Sequence, residues 1–329
     1  MKTKNHHHFL FLLLSLFVIY FGCEKSNVMT SSGPNETYTS VNDFFAKNGK
    51  LPSQYFTVSG TVGGSFTGSE GTKVTFPPNA FIDGNGKIIS GNVTVRLVEL
   101  YNKSDMFFSG VLPVEDDNTL LHSGGEFFIG GTYNGQFVGL APGKRFTALM
   151  PKDLKDTLAN PIAFNFLRDS IDDNGLLGWD EANENNFLND STNDYDSLIN
   201  TATNYIWSGY HFSTTFGDSG VWCNSDQEFT NTNYGSINII PTDSPSTYGT
   251  TVFLIFKIKA MMHVYQVGDA YPDPFAPIGY AATIVAVGVK NNTLYSSFTP
   301  VTISNGLNVN FKLKPTTSNQ FKSALNALN

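Results

Sequence analysis

Asn92-Val-Thr-Val-Arg-Leu-Val-Glu-Leu100 reads as a β-strand, and the reading of its neighbours follows from it. Val93, Val95, Leu97 and Glu99 fall on one face; Thr94, Arg96, Val98 and Leu100 fall on the other. A pleated strand imposes this alternation. Further strand and turn signals flank it at short spacing. Gly71-Thr-Lys-Val-Thr-Phe76 is a strand stopped by Pro77-Pro78. Asp83-Gly-Asn-Gly86 marks a turn between Phe81 and Ile88. Residues 125–133 and 136–140 read as a hairpin joined by Asn134-Gly135, with another turn at Pro142-Gly143 and a strand over 145–150. Short, regularly spaced strands favour a β-sandwich.

The same text resumes near the C-terminus. Thr251-Val-Phe-Leu-Ile-Phe-Lys-Ile is a nearly continuous apolar run, as expected of a strand covered on both faces. Residues 281–289 and 308–313 are further strands. Two short helices bracket the β text. One runs from Ser40 as N-cap to Gly49, with Asp43 in its first turn. The other covers 318–328, with Phe321, Leu325 and Leu328 on one side. The fold class is therefore mainly β: two β-sandwich-like domains, 51–150 and 231–329, joined by an acidic connector over 151–230. A tether with its short helix occupies 23–50, behind a leader over 1–22.

Composition agrees. Phe (28), Tyr (14) and Gly (30) are abundant, and charged residues are only 15%. The net charge of −8 argues against nucleic acid, which needs a basic patch. Residues 151–200 hold eleven acidic and three basic side chains, so the rest of the chain balances at seventeen of each. Trp179, Phe187, Tyr195, Tyr205, Trp207 and Tyr210 run through the acidic segment, which reads as packed.

Lys2 and Lys4 precede Phe-Leu-Phe-Leu-Leu-Leu-Ser-Leu-Phe-Val-Ile-Tyr-Phe over 9–21, then Gly22-Cys23. The run fits a secretory signal and is short for a membrane span. Gly22-Cys23 resembles the cleavage box of bacterial lipoprotein precursors, although Tyr20 and Phe21 depart from its usual Leu and small residue. The resemblance implies lipidation of Cys23, and Glu24-Lys25 resembles a surface-export signal of Bacteroidota lipoproteins. The expected location is the outer membrane, through the lipid anchor. His6, His7 and His8 belong to the leader. With Cys23 acylated, Cys223 has no partner and reads as a buried, inert thiol.

Gly60-Thr-Val-Gly-Gly-Ser-Phe-Thr-Gly-Ser-Glu-Gly-Thr-Lys-Val-Thr-Phe-Pro-Pro-Asn-Ala-Phe81 resembles the opening of a ZU5-like β-sandwich. Gly91-Asn-Val-Thr-Val-Arg-Leu-Val-Glu-Leu100, Ser104-Asp-Met106 and Leu120-Leu-His-Ser-Gly-Gly-Glu-Phe127 continue the likeness. Bacteroidota lipoproteins of unassigned function are similar along this stretch, and Trp222-Cys-Asn-Ser-Asp226 matches a later Trp-x-Asn-x-Asp signature of theirs. Pro277-Ile-Gly279 leading into Thr283-Ile-Val-Ala-Val-Gly288 resembles small transthyretin-like or carboxypeptidase-regulatory sandwiches. The resemblance implies fold and hardly any activity.

Three patterns invite chemistry. Ser170, Asp172, Asn174 and Glu181 match calcium-loop spacing, but Ser stands where Asp is usual, and a polar turn explains the run as well. His211-Phe212-Ser213 matches a site at which some ZU5-type domains cut themselves before Ser, while Tyr210–Phe212 also reads as an alternating strand. His122, His211 and His263 lie far apart, and no nucleophile elbow, phosphate loop or paired-histidine metal motif occurs. The expectation is a non-enzymatic binding or structural module without cofactor, whose partner is another envelope protein or a glycan. The alternatives are cleavage between Phe212 and Ser213, and a calcium-stabilised glycan-binding or adhesion module.

Overall fold

The computed structural model describes residues 36–115, 119–151, 162–166, 177–181, 209–214, 216, 220–229, 233–244 and 247–329. These form a mainly β protein with three short helices. The chain opens with α1 (Val41–Asn48), β1 (Ser53–Ser59), β2 (Gly64–Thr67), β3 (Lys73–Phe76), β4 (Phe81–Ile82) and β5 (Asn92–Leu100). Then come α2 (Lys103–Ser109), β6 (Val111–Glu115), β7 (Leu121–Tyr133), β8 (Gln136–Leu140) and β9 (Phe146–Pro151). The acidic segment supplies β10 (Ile162–Phe166), β11 (Leu177–Glu181), β12 (Gly209–Thr214) and β13 (Val221–Glu228). The C-terminal part holds β14 (Tyr234–Pro241), β15 (Thr251–Phe256), β16 (Met261–Val264), β17 (Tyr271–Pro277) and β18 (Ala281–Lys290). It ends with β19 (Thr293–Thr302), β20 (Leu307–Phe311), β21 (Lys314–Pro315) and α3 (Ser318–Asn326).

Among the described residues these strands make four sheets. The largest has nine strands, with β1-β5-β7-β13-β10-β11-β6 as its path and β8 and β4 branching from β7. A four-stranded sheet (β12-β9-β3-β2) covers one face of it. Between them lies a core that includes Val74, Phe76, Val93, Val95, Phe127, Ile129 and Phe146. The C-terminal part stacks a five-stranded sheet (β16-β15-β18-β19-β21) on a three-stranded one (β17-β14-β20). Val252, Leu254, Ile284, Ile237, Tyr271 and Phe311 fill the space between that pair.

A third core joins the halves. Val98, Leu100, Phe128 and Trp222 on the second face of the nine-stranded sheet pack with Phe44, Phe107 and Phe321 of the helices and with Phe253, Ile255, Val285 and Val287 of the five-stranded sheet. Strand β15 is therefore covered on both sides: Val252 and Leu254 face one core, Phe253 and Ile255 the other. Its unbroken apolar text has this double burial as its cause.

Local signals explain the boundaries. Ser40 caps α1 by accepting from the Asp43 N–H at 3.1 Å, and Asp43 accepts in return from the Thr39 N–H at 2.8 Å. Thr317 and Gln320 form a reciprocal capping box on α3. Asn134 (φ 50°) and Gly135 (φ 77°) take the left-handed pair of values that a two-residue hairpin turn requires between β7 and β8. Helix α2 is an addition to the sequence reading. Asn102 caps it through the Asp105 N–H at 2.9 Å, and Gly110 ends it at φ 74°.

The segment read as a connector has a larger role. Its described parts are strands built into the first half, and β13 lies between β7 and β10 in the nine-stranded sheet. Buried Trp179, Trp222 and Cys223 account for this, because apolar side chains draw these strands into the core.

Candidate functional site

The motifs Leu120–Phe127 and Trp222–Asp226 lie nearly a hundred residues apart and meet as neighbouring strands. Cys223 pairs with Phe127 and Asn224 with Glu126; the register then shifts, and Asp226 pairs with Ser123. The shift is a bulge built on Gly125, which sits at φ 121°. A side chain there would also collide with the Tyr101 ring. The glycine pair in Ser123-Gly-Gly-Glu126 thus re-aims the strand where its polar side chains gather.

Alternation puts Glu126 on the face of Phe128, and Asn224 and Asp226 on the face of Trp222, which is the face toward the C-terminal half. Glu126, Asn224, Asp226 and Ser123 are all 0% exposed. Ser123 Oγ donates to Asn224 Oδ1 at 3.1 Å, and Asn224 Nδ2 donates to Asp226 Oδ2. From the other half, the Lys259 carbonyl accepts from the Ser123 N–H at 2.7 Å, and the Lys259 side chain is only 6% exposed. Lys103 of α2 clamps the same turn by donating to the Lys257 carbonyl at 2.8 Å and to the Leu328 carbonyl at 2.6 Å.

Burial raises both carboxyls well above their ordinary range, and the Asp226 charge adds to the effect on Glu126. Lys259 opposes the rise at both, as do hydrogen bonds from Ser123, Asn224 and the Gly124 N–H at Asp226. Neither oxygen of Glu126 has a hydrogen-bond partner, whereas Asp226 Oδ2 has one. Donors from Ser123, Asn224 and the Gly124 N–H gather at Asp226, whereas only Lys259 offsets the rise at Glu126.

Paired carboxylates can exchange protons, yet this pair lines neither of two clefts among the described residues. Its chemistry is sealed inside the joint between the halves. Glu99, another buried acid, serves the first sandwich: it accepts from the Thr72 and Glu70 N–H groups at 2.8 and 3.0 Å and from Gln54 at 2.7 Å, which pins the β2–β3 loop.

The structure separates the residues singled out in the sequence. Cys23 and His6, His7 and His8 lie outside the described residues, as do Ser170, Asp172 and Asn174. Glu181 ends β11 opposite Phe164. His211 and Ser213 belong to β12, opposite Leu149 and Thr147 of β9, in a six-residue ladder without a register break. His263 bonds Thr251 at 2.7 Å on edge strand β16, between the rings of Phe253 and Tyr265. Cys223 is buried with a free thiol whose pKa burial pushes up. Among the described residues no group of three or more His, Cys, Asp or Glu side chains could hold a metal ion. The sequence reading used Ser123, Glu126, Asn224 and Asp226 as fold markers and missed their common site. Their one signal was polar residues inside otherwise apolar strand text.

No family model and no curated protein matches this chain.

Proposed function

We propose that the protein is a lipid-anchored component of the bacterial cell envelope, held at the outer membrane through Cys23, whose β-rich body is a non-catalytic binding or structural module. Its partner is another envelope protein or a glycan. The observation that carries the non-catalytic part is the burial of the motif chemistry. Ser123, Glu126, Asn224 and Asp226 are 0% exposed and face a turn of the C-terminal half, so they hold a joint. The likeness of 51–150 to ZU5-like sandwiches and of the C-terminal part to transthyretin-like or carboxypeptidase-regulatory ones supports the same reading, since both are scaffolds. The anchor rests on the leader text and Gly22-Cys23. No helix among the described residues is long and apolar enough to cross a membrane.

The test is palmitate labelling and mass spectrometry of the mature N-terminus, with crosslinked pull-down from envelope extracts. The expected result is an acylated Cys23, loss of membrane association in Cys23→Ser, and a captured envelope protein or glycan. An unmodified N-terminus would reject the anchor. Turnover of a substrate by the purified chain would reject the non-catalytic reading.

A further inference from the structure

The face of the nine-stranded sheet that packs toward the C-terminal half is covered at one end, where Val98, Phe128 and Trp222 enter the shared core. Further along β1, β5, β7 and β8 the same face is open. The register aligns Tyr55, Arg96 and Gly130 in one row and Thr57, Thr94, Thr132 and Phe137 in the next. Tyr55 is 66% exposed and Phe137 58%. Thr57 and Thr94 are exposed, and Arg96 and Thr132 are half-buried. Arg96 marks the boundary with the covered end: its Nε donates to Ser53 Oγ at 3.0 Å, and its guanidinium lies over the Phe128 ring at 5.1 Å. Gly130 keeps the floor low, since a side chain there would press on the Phe128 ring and on the Gly220 backbone.

Neighbouring strands lie about 4.8 Å apart and successive residues of one face about 6.8 Å, which sets Tyr55 and Phe137 roughly 16 Å apart at opposite ends of this floor. Between them stand the hydroxyls of Thr57, Thr94 and Thr132, and these two rows hold no carboxylate. The order is the inverse of a protein interface, which gathers aromatic and apolar groups at its centre and polar groups at its rim. It suits an extended, uncharged saccharide. A pyranose ring carries C–H groups on its faces and hydroxyls around its edge. The faces stack on exposed aromatic rings, and the hydroxyls pair with threonine hydroxyls, each of which both donates and accepts. The one cation of the two rows is turned to Ser53 and Phe128, so an acidic chain finds no counterpart here. Both rings are mounted on strands, so binding has little backbone left to order.

We propose that this face binds an uncharged, extended β-linked oligosaccharide, one sugar ring stacked on Tyr55, another on Phe137, and the hydroxyls between them on Thr57, Thr94 and Thr132. The inference rests on the glycan branch of the binding-module reading and is independent of the anchor. Titration calorimetry of the full chain with cellohexaose, xylohexaose and mannohexaose tests it, with maltohexaose as a coiled neutral control and a galacturonate oligomer as a charged one. At least one of the extended hexaoses is expected to bind about tenfold or more tighter than either control, with an affinity that salt leaves unchanged because no charge is engaged. Tyr55→Ala and Phe137→Ala are each expected to weaken it about fivefold or more without moving the melting temperature, because exposed substitutions seldom perturb stability. Tyr55→Phe, which keeps the ring, should retain it. No binding of any extended hexaose, equal binding of either control, or undiminished affinity when both rings are removed would each overturn the proposal. A chain that captures an envelope protein but none of these sugars would sink this proposal alone. Release of shorter sugars from a bound hexaose would sink the non-catalytic reading and support the binding face.

Discussion

The buried Glu126 and Asp226 carboxyls are offset by the Lys259 side chain of the C-terminal half. Removing one partner of a buried ion pair leaves an uncompensated charge and costs about 3–5 kcal/mol. Lys259→Met is therefore expected to lower unfolding free energy by about that amount, read by urea denaturation. Burial raises the Glu126 carboxyl above its unfolded value. Its contribution is complete below the ordinary carboxylate range and is lost as pH rises toward the folded value. The protein should therefore lose stability as pH rises from the ordinary carboxylate range toward the folded value. Glu126→Gln keeps the shape of the neutral acid without the ionisation, so melting temperature against pH should flatten. An unchanged slope would show that the proton is not held there. Gly125 offers a sharper case. Gly125→Ala meets both a φ of 121° and the Tyr101 ring, and a loss of about 3 kcal/mol or more is expected.

Each helix is marginal alone and is held by its cap and its buried face. α1, α2 and α3 have eight, seven and nine residues, below the length at which isolated helices persist. Their stability comes from an aromatic cluster in which the Phe321 ring lies 5.3 Å from Phe44, 5.6 Å from Phe107 and 5.3 Å from Phe298. Phe321→Ala should cost about 3–5 kcal/mol, as for other buried aromatics. Thr317→Ala, which removes only the cap, should cost about 1 kcal/mol. Chemical denaturation of the two variants separates packing from capping; similar losses would contradict this division.

The halves that read as two domains share a core and a buried polar joint, and residues 36–329 form one contact unit. The large apolar face between them, including Phe128, Trp222, Phe253 and Val285, would be exposed if either half stood alone. Calorimetry of the chain should therefore show one cooperative transition. A truncation ending near residue 230 should aggregate instead of folding. Two resolved transitions, or a soluble and cooperatively folding N-terminal fragment, would show that the joint is weaker than its packing implies.

Much of the fold was legible wherever local chemistry decides the outcome. Ser40 and Thr317 carry cap side chains, Asn134-Gly135 can adopt the left-handed turn, and the text of β5 and β15 states which faces are covered. α2 was missed because its seven residues lack a periodic stripe long enough to stand out, although Asn102 and Gly110 bracket them. The strands of the acidic segment were not read because charge is counted over a window, while burial is decided by the few side chains, such as Trp222 and Cys223, that face inward. By itself the sequence determined a β-rich chain, the faces of β5 and β15, and turns such as Asn134-Gly135. Only the tertiary structure decided that Ser123, Glu126, Asn224, Asp226 and Lys259 form one site. Pairing between strands a hundred residues apart depends on register and on the bulge at Gly125, and long-range register is a property of the assembled sheet, not of either strand.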